Sequence, residues 1–411
     1  MERNNVMDKV ILDNGVKIIY MKAPSDITSF TIGFEAGANE EEEHQLGLAH
    51  MVEHMVFKGT EKLNEQQINE RCNKYFGFHN AMTNYPYVVY YGSCLQEDFN
   101  DAFSLYSDIV FRPAFREEGF KEEVGVILEE LKDWSDDPQQ HCEDMLFYNS
   151  FKKRRIKELI IGREELINSY TIDDVKEFYR KYYTTGNCVI SVVSSIPFDE
   201  VLSIVKNNFS HCQCVNNKIK DENLYENPIS GIYREENPHI NGGKVQYIFP
   251  IHDLSVREIA LLHMFNEYFA SGTSSLLYDE IRTKRGLVYD IQGNVKKEKG
   301  IKLYSITMSA SRGNLTEAIG LIDDNIEKVL SLKGIFNEEL FMKYRKSQNL
   351  KRMLSAEKSI VMAMNLAVYE IMFNDASLYI NEFKNLEFSD DGEMDRVISK
   401  VLRGKSTEIL A

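Results

Sequence analysis

The sequence predicts an α+β protein of two domains with similar architecture, each a mostly antiparallel sheet with helices packed on one side. Three observations lead there. Short β-prone runs alternate with stretches of helical period. The same order of strands and helices begins again beyond residue 232, and a polar stretch over 211–232, rich in Asn, Lys, Asp and Glu, separates the two series as a linker. At 411 residues, each half is long enough to enclose its own core. The expected domains are 1–215 and 232–411.

In the first half, Lys9 to Leu12 and Val16 to Tyr20 flank Asp13-Asn14-Gly15, whose Asn-Gly pair favours the positive φ angles of a tight hairpin. Thr28 to Phe34 alternates as a strand should, and Gly37 with the acidic run Glu40 to Glu43 reads as a solvated loop. Asn64 to Tyr75 reads as a helix ended by Gly77. Residues 79–95 read as one long strand with Pro86 in its middle. Proline cannot donate to a ladder, so this strand belongs at an edge or carries a bulge. Glu97 to Phe111, Arg116 to Trp134 and His141 to Phe151 carry helical periodicity, with Pro113 and Pro138 as breaks. Thr171 to Tyr183 opens on a capping residue, and Cys188 to Ser194 is a buried strand. The second half repeats the order: strand Lys244 to Phe249, helix Val256 to Phe269, strands at 287–295 and 301–310, and helices from about 314 and 336.

A net charge of -16 repels phosphate and attracts basic segments, which argues against nucleic acid and suits a basic peptide. MERNNVMDKVILDNG, the first 15 residues, has no apolar core of the signal-peptide type, and no later run reaches transmembrane length. A cytoplasmic protein without membrane association is expected. The six cysteines show no disulfide framework and read as free thiols. His211-Cys212-Gln213-Cys214 lacks a partner pair and reads as incidental thiols, not a second metal site.

The chemistry concentrates in LAHMVEHMVFKGTEK, residues 48–62, where His50, Glu53 and His54 interrupt an apolar helical run. Histidines four apart share one helix face, so their imidazoles can converge on one ion with Glu53 beside them. This is the inverted zinc-protease pattern H-x-x-E-H. A catalytic zinc takes three protein ligands and a water whose pKa falls to about 7. A carboxylate poised beside that water can take its proton and hand it to a leaving amine, and Glu53 is the candidate. FKEEVGVILEEL, residues 120–131, supplies the acids for a third ligand. Glu123 and Glu130 are seven apart on one face, Glu122 and Glu129 likewise, and spacing leaves both pairs open.

HMVEHMVFKGTEK, then NAMTNYPYVVYY at 80–91, EVGVILEEL at 123–131 and GTSSLLYDEIRTKRGLVY at 272–289 together resemble the pitrilysin/insulinase metallopeptidases, in particular their short, mitochondrial-processing-peptidase-like branch. The likeness covers essentially the whole chain and implies the LuxS/MPP-like metallohydrolase fold. It also implies one Zn2+ per chain held by His50, His54 and Glu130, with Glu53 as general base and Glu123 as a supporting acid that is not a ligand. Asn80 and Ala81 match positions that hold substrate backbone near the scissile bond. Arg282 and Tyr289 match the residues of the second half that contact substrate carbonyls and the transition state. The second half has no H-x-x-E-H, so only the first is expected to be catalytic.

Two departures stand out. Ser194-Ser195-Ile196-Pro197 replaces a glycine-bearing turn, and Lys152-Lys153-Arg154-Arg155 replaces a more neutral stretch. Longer members carry two such halves in one chain, so a closed chamber here implies a homodimer, or a heterodimer with a related chain. The expected function is a zinc metalloendopeptidase cleaving peptides or short unfolded segments. The alternative is a non-catalytic or partner-dependent subunit of a peptidase heterodimer.

Overall fold

The computed structural model describes residues 7–209, 225–384, 386–389 and 392–411. The His211 to Cys214 motif and most of the expected linker lie outside the described residues. The chain forms two compact units, the described parts of 1–131, 159–222 and 353–379, and those of 132–158, 223–352 and 380–411.

The first unit is built on six strands, β1 (Met7–Ile11), β2 (Lys17–Lys22), β3 (Ile27–Phe34), β4 (Phe76–Thr83), β5 (Val88–Leu95) and β6 (Cys188–Ser194), in the order β1-β2-β6-β3-β5-β4. The second is built on β7 (Gly231–Glu235), β8 (Gly243–Pro250), β9 (Val288–Glu298), β10 (Ile301–Ala310) and β11 (Ser406–Leu410), in the order β7-β11-β8-β10-β9. With β1 set aside, the two sheets follow one rule. The first strand lies parallel to the last, β2 beside β6 and β7 beside β11, and every other pair is antiparallel. The repeated architecture expected from the sequence is present.

The helices that matter for the site are α1 (Leu48–Val56), α2 (Glu65–Tyr75), α3 (Phe99–Phe111), α4 (Phe120–Asp136) and α5 (Pro138–Ser150). Successive residues of a strand face opposite sides, so β5 reports what covers each face. Val88 and Tyr90 pack into the core shared with α1 and α3, whereas Tyr87 and Val89 pack against Val368 and Met372 of the helix Ser359–Phe373. That helix comes from the second half of the sequence. It is tied down where Ser29 Oγ meets Ser359 Oγ at 2.8 Å and where Ser191 donates to the Ala363 carbonyl. Glu370, 1% exposed, ends there between Lys9 at 2.6 Å and Lys17 at 3.4 Å. The exchange is mutual. α5 comes from the first half and covers β8 and β11 of the second sheet, with Gln139 donating to Gln246 at 3.2 Å and Asn149 to Glu408 at 3.0 Å. Helices therefore lie on both faces of each sheet, which is why β6 is buried along its whole length.

One local expectation is corrected. Residues 79–95 are not one strand but the hairpin β4–β5, and Pro86 sits in its turn. Asn84 Oδ1 accepts from the Tyr85 amide at 2.7 Å, and the Asn84 amide donates to the Tyr87 carbonyl at 2.8 Å, so the side chain makes the turn that proline tolerates. β4 is then an edge strand. Pro138 separates α4 from α5 as expected, and it opens α5, where its missing N–H costs nothing and Asp137 caps the next amides of Gln139 and Gln140.

Candidate metal centre

α1 forms because Leu48, Ala49, Met51, Val52, Met55 and Val56 give it a continuous buried stripe. Its start is fixed by Gly47, whose φ is +92° and where a Cβ would lie 2.3 Å from the Ile161 carbonyl oxygen. Glu41 completes that start. It is 8% exposed, and its carboxylate accepts from the amides of Gly47 at 3.1 Å and Ala49 at 2.8 Å. A negative charge on the free amides of a helix N-terminus is favourable. One member of the acidic run 40–43 is thus a buried anchor of this helix and not a solvated charge.

His50 and His54 project from one face of α1 with ring centroids 4.5 Å apart. α4 brings Glu130 to them, its Oε2 3.7 Å from His50 Nε2 and 3.5 Å from His54 Nε2. One ligand atom from each of the three residues lies within 4.8 Å of the others. Tetrahedral zinc with bonds of about 2.0–2.1 Å sets its ligands roughly 3.3 Å apart, so the spacing fits that ion. Burial, with the neighbouring His54, lowers the His50 pKa to about 3, which leaves a neutral imidazole with a lone pair at neutral pH.

Of the two acid pairs left open by spacing, Glu123 and Glu130 face α1, while Glu122 and Glu129 are exposed. Glu123 is 6% exposed and meets His54 Nδ1 at 2.7 Å and Lys58 Nζ at 2.5 Å. An Nδ1–H donated to that carboxylate turns the lone pair of Nε2 toward Glu130. Burial pulls the His54 pKa down, but the bond to Glu123 and the charges of Glu53, Glu123 and Glu130 outweigh it and hold it above the ordinary value.

Glu53 lies on the same helix and accepts from Thr83 Oγ1 at 2.5 Å. Burial raises its pKa against that bond. Thr83, the last residue of β4, carried no signal in the sequence. Asn80 and Ala81, earlier on the same edge strand, line a cavity of about 330 Å³ together with Glu53, His54 and Phe57. The structure thus brings His50, Glu53, His54, Asn80, Ala81, Glu123 and Glu130 to one place in the first unit.

Arg282 and Tyr289 belong to the second unit. Arg282 is exposed in a six-residue π-helix, Tyr278–Thr283, and its guanidinium lies 4.9 Å from the Tyr278 ring centroid. Tyr289 is 62% exposed because it is the extra residue of a β-bulge: Asp290 pairs with Ser309 and Val288 with Ala310. A bulge re-aims the side chain it carries. Tyr289 lines a separate cavity of about 750 Å³ with His141, His239, Gly242 and Lys244.

A fold of two repeated α+β units with an inverted H-x-x-E-H site defines the class, and comparison with known proteins agrees. A family model described as "Insulinase (Peptidase family M16)" matches residues 17–164, and one described as "Peptidase M16 inactive domain" matches 169–347. The chain belongs to this insulinase (pitrilysin) family, and several matching relatives are named uncharacterized zinc proteases. A zinc protease of Bacillus subtilis, YmxG, is 26% identical over 331 residues, 80% of this chain and 79% of that protein. A probable mitochondrial-processing peptidase subunit beta of Arabidopsis thaliana is 28% identical over 201 residues, 48% of this chain and 38% of its own length. Among solved structures, a protease from Helicobacter pylori superposes with a TM-score of 0.86 at 18% identity, covering 99% of each chain, which bears on the fold alone.

Proposed function

We propose that the chain is a zinc metalloendopeptidase with His50, His54 and Glu130 as ligands and Glu53 as general base. The observation that carries this is the convergence of the three ligand atoms within 4.8 Å beside a half-buried Glu53. Zinc held by such donors lowers the pKa of a bound water toward about 7 and polarises a carbonyl. Glu53, lifted toward the working pH by burial and steadied by Thr83, accepts the proton and returns it to the leaving amine. Glu123 keeps His54 in one orientation. The free edge of β4 at Asn80 and Ala81 accepts an extended peptide as an added strand. Arg282 and Tyr289 donate to substrate carbonyls or the developing oxyanion.

The charge of -16 favours basic peptides. Among the described residues no helix is long and apolar enough to cross a membrane. One specific observation favours a second reading, that activity requires a partner: a relative is named as a subunit. The deciding experiment measures zinc content and peptide-library cleavage on the purified chain, with and without chelator. One zinc per chain and chelator-sensitive cleavage support the first reading. Zinc without cleavage, restored by a second protein, supports the other, and a chain that takes up no zinc sinks both.

A further inference from the structure

The cavity beside Glu53 contains a histidine that no motif assigns. His79 of β4 lines it with Glu53, Asn80 and Ala81. Along the strand Phe78 and Asn80 are exposed, whereas His79 is half-buried among aromatic rings. Its ring centroid is 5.5 Å from that of Phe76 and 6.1 Å, edge-on, from that of Tyr106. Its Nδ1 lies 3.0 Å from the Tyr106 hydroxyl oxygen. The imidazole is therefore clamped.

The clamp also selects the tautomer. Tyr106 is 0% exposed, and His79 is its only hydrogen-bond partner among the described residues. If Nδ1 carried the proton and donated to the phenol oxygen, the phenol proton would be buried without an acceptor, which is costly. If the phenol donates to Nδ1, every donor is satisfied and the ring proton sits on Nε2. That nitrogen is the one not held by Tyr106, and the residue lines the cavity. Burial lowers the His79 pKa, so the group is a neutral donor at neutral pH.

The other polar groups of the cavity restrict what this donor can meet. Glu53, Glu65 and Glu123 line the same space, and the one lysine there, Lys58, is engaged by Glu65 at 2.8 Å and Glu123 at 2.5 Å. Among the lining side chains an incoming carboxylate meets three acids and no unpaired cation. A neutral oxygen meets neutral donors, the imidazole N–H and the side-chain amide of Asn80.

We propose that His79 is a specificity-determining residue whose Nε2–H donates to the side chain of a substrate residue flanking the scissile bond, so that the cavity selects neutral acceptor side chains over apolar isosteres and over carboxylates. This rests on the peptidase reading and adds the side-chain class it prefers. The experiment uses the zinc-loaded full chain and peptides that carry glutamine, methionine or glutamate at one position at a time on either side of the cleaved bond. At one position glutamine should exceed methionine in kcat/KM by about tenfold, with glutamate lowest. In His79→Leu the glutamine-to-methionine ratio should fall to about one, and His79→Gln, which keeps an N–H donor, should recover part of it. Tyr106→Phe frees the tautomer and should give an intermediate ratio. A merely structural role for His79 would lower both peptides alike, and an unchanged ratio in His79→Leu overturns the proposal. So does a wild-type ratio near one at every position, or a preference for glutamate. If no peptide is cleaved, the peptidase reading fails separately. The same peptides are then compared by calorimetry: tighter glutamine binding that depends on His79 supports the proposal, and equal affinities overturn it.

Discussion

Removing the Glu123 carboxylate should separate a residue that supports a ligand from one that is a ligand. In Glu123→Ala two contacts vanish, from His54 Nδ1 at 2.7 Å and from Lys58 Nζ at 2.5 Å. A hydrogen bond to a charged group contributes about 1.5–3 kcal/mol. Lys58 retains Glu65 at 2.8 Å, so the loss falls on His54. Without an acceptor at Nδ1 the imidazole is free to rotate and to change tautomer, and the fraction presenting the Nε2 lone pair falls. Outer partners of this kind typically change metal affinity 10- to 100-fold, equivalent to about 1.4–2.7 kcal/mol. Glu123→Gln keeps an acceptor oxygen and should sit at the lower end. The assay is competition for zinc against a chromophoric chelator at neutral pH, with stoichiometry from elemental analysis and melting of the metal-free proteins as a control for folding. Stoichiometry should stay at one zinc per chain with a weaker Kd. Glu130→Gln should lose metal outright, while Glu129→Gln should stay near wild type. Wild-type affinity in Glu123→Ala would remove its supporting role, and a loss as complete as that of Glu130→Gln would make Glu123 a ligand.

Glu53→Gln should abolish cleavage with zinc still bound, and loss of metal in that variant would identify Glu53 as a ligand. Asp144 gives a pH dependence of opposite sign to most carboxylates: burial, opposed by bonds from Trp134 and Gln140, raises its pKa from 3.8 to about 6. A raised carboxyl favours the folded state below its unfolded pKa, and that contribution is lost as pH rises through the folded value. Asp144→Asn should therefore gain on wild type from about pH 4 to 6 by up to roughly 3 kcal/mol in denaturant unfolding, and parallel pH curves would contradict the shift. If a homodimer forms with Arg282 and Tyr289 serving the other subunit's zinc site, mixing Glu53→Gln with the double variant Arg282→Ala, Tyr289→Phe under subunit exchange should restore about a quarter of wild-type activity. No recovery despite exchange would mean these residues act within one chain or that the natural partner is another protein.

Much of the fold was legible because hydrophobic period is local. Cys188 to Ser194, the helix over Val256–Phe269 and the strand over 301–310 have the ends their residue patterns imply. What escaped depends on partners far along the chain. β7 and β11 are five residues each, and the parallel register that makes them strands joins Gly231 to Ser406. The apolar stripe of a helix shows that one side is buried but not which sheet buries it, so the exchange of α5 and Ser359–Phe373 could not be read. Its clearest mark, Glu370 between Lys9 and Lys17, spans 361 residues for the first of those pairs. The hairpin turn at 84–87 escaped for a different reason. Tyr85 and Tyr87 lie within it and Val88 to Tyr91 follow it, and only the Asn84 side chain distinguishes a turn there from a strand interrupted by proline.

At the site, the spacing of His50 and His54 sufficed because helix geometry alone places them together. The acids of α4 did not yield to the same logic, for a definite reason. Glu123 and Glu130 flank Ile127, which is 0% exposed, whereas Glu122 and Glu129 flank Val126, which is 51% exposed. Both neighbours are β-branched aliphatics, so residue type cannot say which is core, and the orientation of the helix is decided only when Ile127 packs. Glu41 repeats the problem more sharply. Four acids stand in a row, and the one that is buried is singled out by a chain reversal that carries Gly47 and Ala49 back over it, at a glycine whose φ of +92° no sequence period reports. Where a charge is placed by a turn and not by a helix or strand, periodicity carries no information about it. The residues that hold a site in position then have to be found from the hydrogen bonds they satisfy, as the Tyr106 hydroxyl identifies the orientation of His79.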